Sequence, residues 1–211
     1  MNIFKRFFNL LVESLTDNKK LIIIMAILFL ASFIGAWIFS SGPVSLSTAQ
    51  IQNMSASSPS MGQETGAVEL FINNEAGGIL TYVGSIFFGI FAVVSLIYNG
   101  VNMGLIGQLF SQIIPNGGLK YIVYLIPHGI FELTATVLES AAGIMLFMFI
   151  WRFARALISS ETQGVSEAFE KSKKILIQSL IIMIFTTILL LIAAPIEAYI
   201  SVPFSELIFG A

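Results

Sequence analysis

The sequence predicts an all-α protein, a polytopic bundle of transmembrane helices, and three observations support this class. Of the 211 residues, 56% are hydrophobic and only 10% are charged, whereas soluble domains carry about 25% charged residues. Several uncharged stretches are long enough to cross a bilayer core about 30 Å thick. Basic residues collect in two clusters that flank such stretches. We expect about five membrane segments, an interfacial amphipathic N-terminal helix and a helix broken at Pro127.

Residues 1–18 are predicted to form the amphipathic helix, lying in the plane of the membrane interface. Its apolar side chains recur at helical spacing, namely Phe4, Phe8, Leu11 and Leu15. Charged and polar side chains occupy the other faces. An apolar aromatic face beside lysines is typical of helices that lie on a membrane rather than cross it.

Residues 19–204 are predicted to form the transmembrane domain, followed by a C-terminal tail at 205–211. The uncharged run Leu21–Phe39 is longer than the apolar core of a signal peptide, so we interpret it as an uncleaved first span. A polar stretch without Lys or Arg follows, and it predicts an extracytoplasmic loop at 41–77 with a short helix near Val68–Ile72. The remaining predicted segments are Ile79–Tyr98, the shorter Asn99–Gly118, Tyr121–Phe153 and Ile175–Ile200.

The basic residues predict the orientation of the chain. Four Lys and Arg precede the first span, and five lie between Arg152 and Lys174. Lys and Arg concentrate on the cytoplasmic side of membrane proteins. We therefore expect a multi-pass cell-membrane protein with a cytoplasmic N-terminus and an extracytoplasmic C-terminus, which requires an odd number of passages.

A stripe of ionisable groups lies inside one apolar segment. His128, Glu132 and Glu139 have the spacing i, i+4 and i+11, which places them within roughly 40° of one another on a helix and along about 16 Å of its length. Pro127 suits a first helical turn and disfavours a helical residue before it, so a helix is expected to begin near Pro127–His128.

Glu197 in the last span is expected to pack against this stripe, with Asn99 and Asn102 as neutral ligands. A lone carboxylate at the centre of a bilayer costs several kcal/mol, so such groups pair, take up protons or face a cavity. Three interpretations remain open at this point. The groups join helices by hydrogen bonds, they form a proton, ion or substrate site, or His128, Glu132 and Glu197 bind a divalent metal ion.

The composition excludes several function classes. The net charge is −2, and no basic patch indicates nucleic-acid binding. Cysteine is absent, which excludes disulfides and thiolate chemistry. A single histidine does not meet the two-histidine metalloprotease motif, and no nucleotide-binding or serine-hydrolase motif is present. We therefore expect that the protein is not an enzyme.

The glycines Gly100, Gly104 and Gly107 recur at helical spacing and predict a close helix–helix contact. Packing within the chain is favoured over packing between subunits. A homo-oligomer is nevertheless expected, together with the lipid bilayer itself and membrane or cell-envelope proteins as partners.

Three segments resemble the signature segments of the stage II sporulation protein M family: Tyr98–Phe110, Leu125–Gly143 and Leu190–Phe204. The most specific match is the P-H-G-I-x-E core that begins at Pro127, followed by the acid-containing last span with Glu197. Thr134 stands where the family often has proline, and Glu139 stands where small apolar residues are commoner.

The resemblance implies a multi-pass membrane protein with an interfacial N-terminal helix, and a scaffold role. In spore-forming bacteria the name-giving member anchors a complex that remodels the cell wall during engulfment. The first hypothesis is therefore a non-enzymatic membrane scaffold that recruits partners. The alternative is a transporter or channel-like protein whose intramembrane site is built on His128, Glu132 and Glu197. A scaffold should seal these groups within packed helices, whereas a transporter should connect them to water.

Overall fold

The computed structural model describes residues 2–40, 66–160 and 162–209, and it is helical with no strand in these ranges. This confirms the predicted all-α class. The described elements, in chain order, are α1 (Ile3–Asp17), α2 (Lys19–Phe39), α3 (Ala67–Gly84), α4 (Ile90–Ile113), α5 (Gly117–Leu157), α6 (Val165–Ile196), a π-helical segment (Glu197–Ser201) and α7 (Val202–Phe209).

Four helical stretches within the described ranges are long and apolar enough to cross a membrane: Lys19–Phe39, Ile90–Ile113, Gly117–Leu157 and Val165–Phe209. The helix α3 has 18 residues but carries the polar run Asn73, Asn74 and Glu75. It therefore falls outside this apolar set, although it packs within the bundle.

Contacts between the helices show that successive long helices alternate in direction. Tyr82 of α3 contacts Ser179 of α6, and Glu75 contacts Thr187, so α3 and α6 are antiparallel. By contrast, α2 and α4 are parallel, because Gly100 lies at Phe29 and the later Gly107 lies at Trp37. α5 is antiparallel to α6, because Phe149 contacts Phe169 near one end and His128 contacts Ser201 near the other. The five helices α2 to α6 therefore alternate in direction, and four of them are apolar enough to be spans, where about five membrane segments were predicted.

The boundaries of the second and third predicted segments are wrong. The chain turns at residues 85–89, inside the predicted span Ile79–Tyr98, and Phe88 and Gly89 both adopt left-handed backbone conformations there. One real span, α4, then covers the end of that segment and most of Asn99–Gly118. The helix before it is α3, which begins in the predicted loop at 41–77 and contains the short helix expected near Val68–Ile72. Residues 41–65 of that loop lie outside the described ranges.

The predicted break at Pro127 is also wrong. α5 is one continuous helix of 41 residues that contains Pro127 in its interior, and it is about 60 Å long at 1.5 Å per residue. Proline removes one helical hydrogen bond, and neighbouring helices in a membrane bundle let a helix tolerate that loss. The irregularity instead follows Pro195 of α6, where the helix widens into the π-helical segment.

Two contacts between helices lie at opposite ends of the bundle. Gly100, Gly104 and Gly107 of α4 lie directly on the backbone and side chains of α2, so we call this contact the glycine interface. At the opposite end, α1 is fastened to α6 because Lys174 forms ion pairs with Glu13 at 2.9 Å and with Asp17 at 2.8 Å. Small residues let two helices approach closely over the full length of such a contact.

Candidate functional site

Three ionisable side chains from α5 and the π-helical segment meet inside the bundle. His128, Glu132 and Glu197 each offer one ligand atom, and these atoms all lie within 4.8 Å of one another. His128 is 2% exposed and Glu197 is 8% exposed, whereas Glu132 is half-buried. We call these three residues the His–Glu centre.

The π-helical segment explains why Glu197 and Ser201 both reach α5. Pro195 lacks an N–H group and therefore cannot continue the regular helical hydrogen bonds. The helix widens after it, and the Ser201 hydroxyl donates to the carbonyl of Ile196, five residues earlier, at 3.2 Å. Short π-helical insertions of this kind are frequent at functional sites.

The Ser201 hydroxyl contacts one ring nitrogen of His128. It lies 2.8 Å from Nδ1 of His128 and 3.2 Å from the carbonyl oxygen of Ile196. A neutral imidazole has one donor nitrogen and one acceptor nitrogen. Nε2 faces a carboxylate oxygen of Glu132 at 3.8 Å, and it can bind a metal ion when Nδ1 carries the ring proton.

Tyr124 completes the wall of the His–Glu centre one turn before His128. Its ring packs edge-on against the imidazole with the ring centroids 5.3 Å apart. Its hydroxyl is close enough to Glu197 to interact electrostatically with that carboxyl group. The two carboxylates and the imidazole are thus held in place by neighbours that carry no positive charge.

The donor set fits a divalent transition-metal ion. Imidazole and carboxylate together suit ions such as Zn²⁺ and Mn²⁺, and a ring nitrogen that does not bind the metal is usually hydrogen-bonded, as Nδ1 is here. Two ligands about 2.1 Å from one ion lie at most about 4.2 Å apart. The observed limit of 4.8 Å is slightly wider, so a small side-chain movement would close the site.

A cavity of about 270 Å³ reaches the His–Glu centre from between α3, α4 and α5. Three of the residues that line the cavity are Glu132, Asn99 and Glu139. Asn99 is an exposed residue, and Glu139 is a buried one. The remaining polar lining residues are Asn73, Asn74, Thr81, Ser95, Tyr98, Thr136 and Ser140. A polar space of this size has room for several water molecules.

The structure separates the six residues predicted to form one polar cluster. It brings together His128, Glu132 and Glu197, and it places Glu139 two turns further along α5. Asn99 lines the cavity. Asn102 lies half-buried on α4 and is not among the described residues that line this cavity.

Sequence reasoning missed Tyr124, Ser201 and Glu75. The first two are one turn from His128 and Glu197 respectively, so helical spacing was the signal that could have found them. Glu75 carried no such signal, because its polar surroundings were interpreted as a loop.

The comparisons with known proteins cover most of the chain. The family profile described as Stage II sporulation protein M matches residues 24–202, a range that includes the whole His–Glu centre. An uncharacterized protein of Methanocaldococcus jannaschii is 37% identical over 134 residues, which are 63% of this chain and 68% of that relative. No solved structure gives a significant match.

Proposed function

The chain belongs to the stage II sporulation protein M family of membrane proteins, and from this premise we propose that it is a transporter of divalent cations. The proposed binding site is the His–Glu centre, with Nε2 of His128 and the carboxylates of Glu132 and Glu197 as ligands. Four apolar spans support the location in the membrane.

One observation carries this proposal. Nε2 of His128 and a carboxylate oxygen of Glu132 face each other at 3.8 Å. Glu197 adds a second carboxylate within 4.8 Å. Negative groups in a medium of low dielectric constant require compensation, and a bound cation supplies it at the point where all three ligand atoms converge.

The cavity favours transport over a purely structural role. A structural cluster would be sealed by packed helices, as His128 and Glu197 are. Glu132 is instead 24% exposed at its side chain and lines a polar cavity. This gives an ion a route to one ligand of the centre while the other two ligands stay buried.

We also propose the orientation that the basic residues predict, with the N-terminus in the cytoplasm and the C-terminus outside. The alternating directions of α2 to α6 support it, because five crossings put the two ends on opposite sides; this orientation requires α3 to cross the membrane beside the four apolar spans. The His–Glu centre is then near the outer half of the bundle, close to the end of α6.

The scaffold role stays the second candidate, and α1 is the observation that favours it. Phe4 and Phe8 of α1 are 78% and 63% exposed, and exposed ion pairs join the helix to α6. An apolar face at the membrane interface could present the protein to membrane or cell-envelope partners. A homo-oligomer, and the absence of enzymatic activity, stay predictions from the sequence.

The first experiment measures metal binding by purified, metal-stripped protein in detergent, using calorimetry with Zn²⁺ and with Mn²⁺. We expect about one ion per chain, and loss of binding in His128→Ala and in Glu197→Gln. Glu69→Gln is the control, since Glu69 is an exposed carboxylate on α3. Stable protein that binds neither ion would refute the proposed site.

The second experiment separates the two candidates. Wild-type protein in liposomes should admit Zn²⁺ to an internal metal-sensitive dye, and Glu132→Gln should abolish this uptake. Binding without uptake by the wild type would favour a scaffold that carries a structural ion.

A further inference from the structure

A second pair of carboxylates lies on the same side of the bundle, two turns along α5 from the His–Glu centre. Glu139 is 6% exposed, and its Oε1 has no hydrogen-bond partner among the described residues. Glu75 of α3 accepts a hydrogen bond of 2.8 Å from Thr187 at Oε1, and its buried Oε2 likewise has no partner there. Buried polar atoms without partners are rare in folded proteins.

The helix α3 is shaped to admit the carboxyl group of Glu139. Gly78 faces it one turn after Glu75, and a Cβ atom at position 78 would collide with the Glu139 carboxyl group. Glycine at this point leaves the space that the carboxyl group fills. The close approach therefore brings the Glu139 carboxyl group to the backbone of α3, one turn from Glu75, which acts on it electrostatically.

The groups around Glu139 offer no positive charge. Its electrostatic neighbours are Glu75 from α3 and Glu132 from α5 itself, and the nearby Thr186 hydroxyl of α6 donates to the Met183 carbonyl. On the α4 side the cavity is lined by Ser95, Tyr98 and Asn99, and none of its described lining residues is Lys, Arg or His. Two ionised carboxylates would repel each other here without compensation.

We propose that Glu75 and Glu139 form a proton-binding site, in which the two carboxyl groups hold one proton and exchange it with water in the cavity. In the protonated state, Glu139 is a neutral acid beside the Glu75 carboxylate. On release, the O–H bond of the acid breaks, its electron pair stays on the carboxylate oxygen, and a cavity water becomes hydronium.

The geometry favours a proton over a second metal ion. Among the described residues, the His–Glu centre is the group in which three ligand residues converge. The Glu75–Glu139 pair contributes only carboxylates and lacks a third such residue. A single proton removes one of its two negative charges without needing further ligands.

The shared cavity couples this proton to the cation site, a step that rests on the proposed function. Glu132 and Glu139 lie on the same face of α5, seven residues or about 10 Å apart along the helix axis, and both line the cavity. A divalent ion at Glu132 favours loss of the nearby proton, and protonation of Glu139 disfavours the ion by the same factor. This is the coupling that an exchanger of cations for protons requires.

Infrared difference spectroscopy of the metal-free protein tests the proton site directly. Wild-type protein at neutral pH should show the carbonyl stretch of protonated carboxyl groups, and Glu139→Gln should lose the Glu139 part of this band, but not any part from Glu132 and Glu197, while keeping its helical content and melting temperature. Glu69→Gln is again the control. An unchanged band in Glu139→Gln would overturn the proposal, and Glu75→Gln gives the same test through a shifted or lost band if Glu139→Gln does not fold.

Proton release on adding Zn²⁺ tests the coupling separately. In weak buffer the wild type should release about one proton more per bound ion than Glu139→Gln does, since metal binding displaces protons. Equal release would overturn the coupling and leave the infrared result standing. Absence of Zn²⁺ binding would instead refute the proposed cation site, and the infrared band would still decide the proton site.

Discussion

Two contact regions of the bundle differ in the residues that form them. One is the glycine interface between α2 and α4, and the other is the polar surface where α3, α5 and α6 meet. In the first, Gly100, Gly104 and Gly107 bring two helices together with no ionisable group between them. In the second, five acidic or imidazole side chains are placed where packing alone would prefer apolar ones: Glu75, His128, Glu132, Glu139 and Glu197. We call this second region the polar face.

The contrast indicates that the glycine interface stabilises the fold, whereas the polar face lowers its stability. Close packing of small residues is the main source of helix association in membranes. Ionisable groups inside a membrane are costly and are found mostly where they serve a function. The unpartnered oxygens of Glu75 and Glu139 add to that cost. We therefore expect substitutions in the glycine interface to affect folding, and those in the polar face to affect binding.

Gly104→Val tests the first half of this comparison and should have the largest effect. Even a Cβ at position 104 would collide with the backbone carbonyl of Phe33 and crowd Ala36, and a backbone atom cannot move aside like a side-chain tip. Overpacking of this kind costs about 3 kcal/mol. We expect a strongly lowered melting temperature in detergent and a low yield of monodisperse protein.

Gly35→Val is the matched control for Gly104→Val. A Cβ at position 35 of α2 would meet no atom within 4 Å, so the same added side chain should leave the melting temperature nearly unchanged. Equal destabilisation by both changes would show that valine acts through its low helix propensity. The close packing at the glycine interface would then not explain the effect of Gly104→Val.

Ser201→Ala tests the second half, because it changes the polar face without removing a proposed ligand. The alanine removes the hydrogen bond between residue 201 and Nδ1 of His128, so the imidazole loses the contact that orients Nε2. Loss of such a supporting contact typically lowers metal affinity 10–100-fold. We expect that loss for Zn²⁺ in calorimetry, with a much smaller change in melting temperature than Gly104→Val causes.

Ser111→Ala provides the comparison for this change, since the Ser111 hydroxyl donates to the carbonyl of Gly107 within its own helix. It should leave Zn²⁺ affinity unaltered. If Ser201→Ala lowered stability as much as it lowered affinity, the hydrogen bond would serve packing, and the two regions would not divide as described.

The glycine interface was predictable from the sequence because its signal is local. The spacing of Gly100, Gly104 and Gly107 predicts one smooth helix face, and the structure adds only the identity of the partner helix. The membrane class, the all-α fold and the family resemblance rest on equally local signals, namely hydropathy, charge and three short segments. All of them are confirmed.

The polar face was only partly predictable, since its groups come from helices far apart in the chain. The stripe on α5 follows from spacing, but α3 was interpreted as a loop because Asn73, Asn74 and Glu75 lower its hydropathy. These are the residues at and beside the cavity, so the polarity that serves the site conceals the helix. At Pro127 the sequence predicted a helix break that does not exist, since tertiary packing keeps α5 continuous across it.

Asp17→Asn should have the smallest effect on the melting temperature. It tests a polar contact between α1 and α6 that is exposed to water, in contrast to the buried groups of the polar face. The Asp17 pKa is lowered by its hydrogen bonds with Lys174 and then with Gln178. A lowered pKa contributes stability above the unfolded value, about pH 4, and that contribution is lost as the pH falls through the folded value. We expect a small decrease in melting temperature at pH 7 that vanishes in acid and shrinks in high salt, as the effect of exposed ion pairs does.

Glu170→Gln, which removes only an ion pair within α6, should change the melting temperature less. A decrease that persisted in acid and in high salt would mean that the α1–α6 contact behaves like a buried one, and the distinction between polar groups in water and in the polar face would fail.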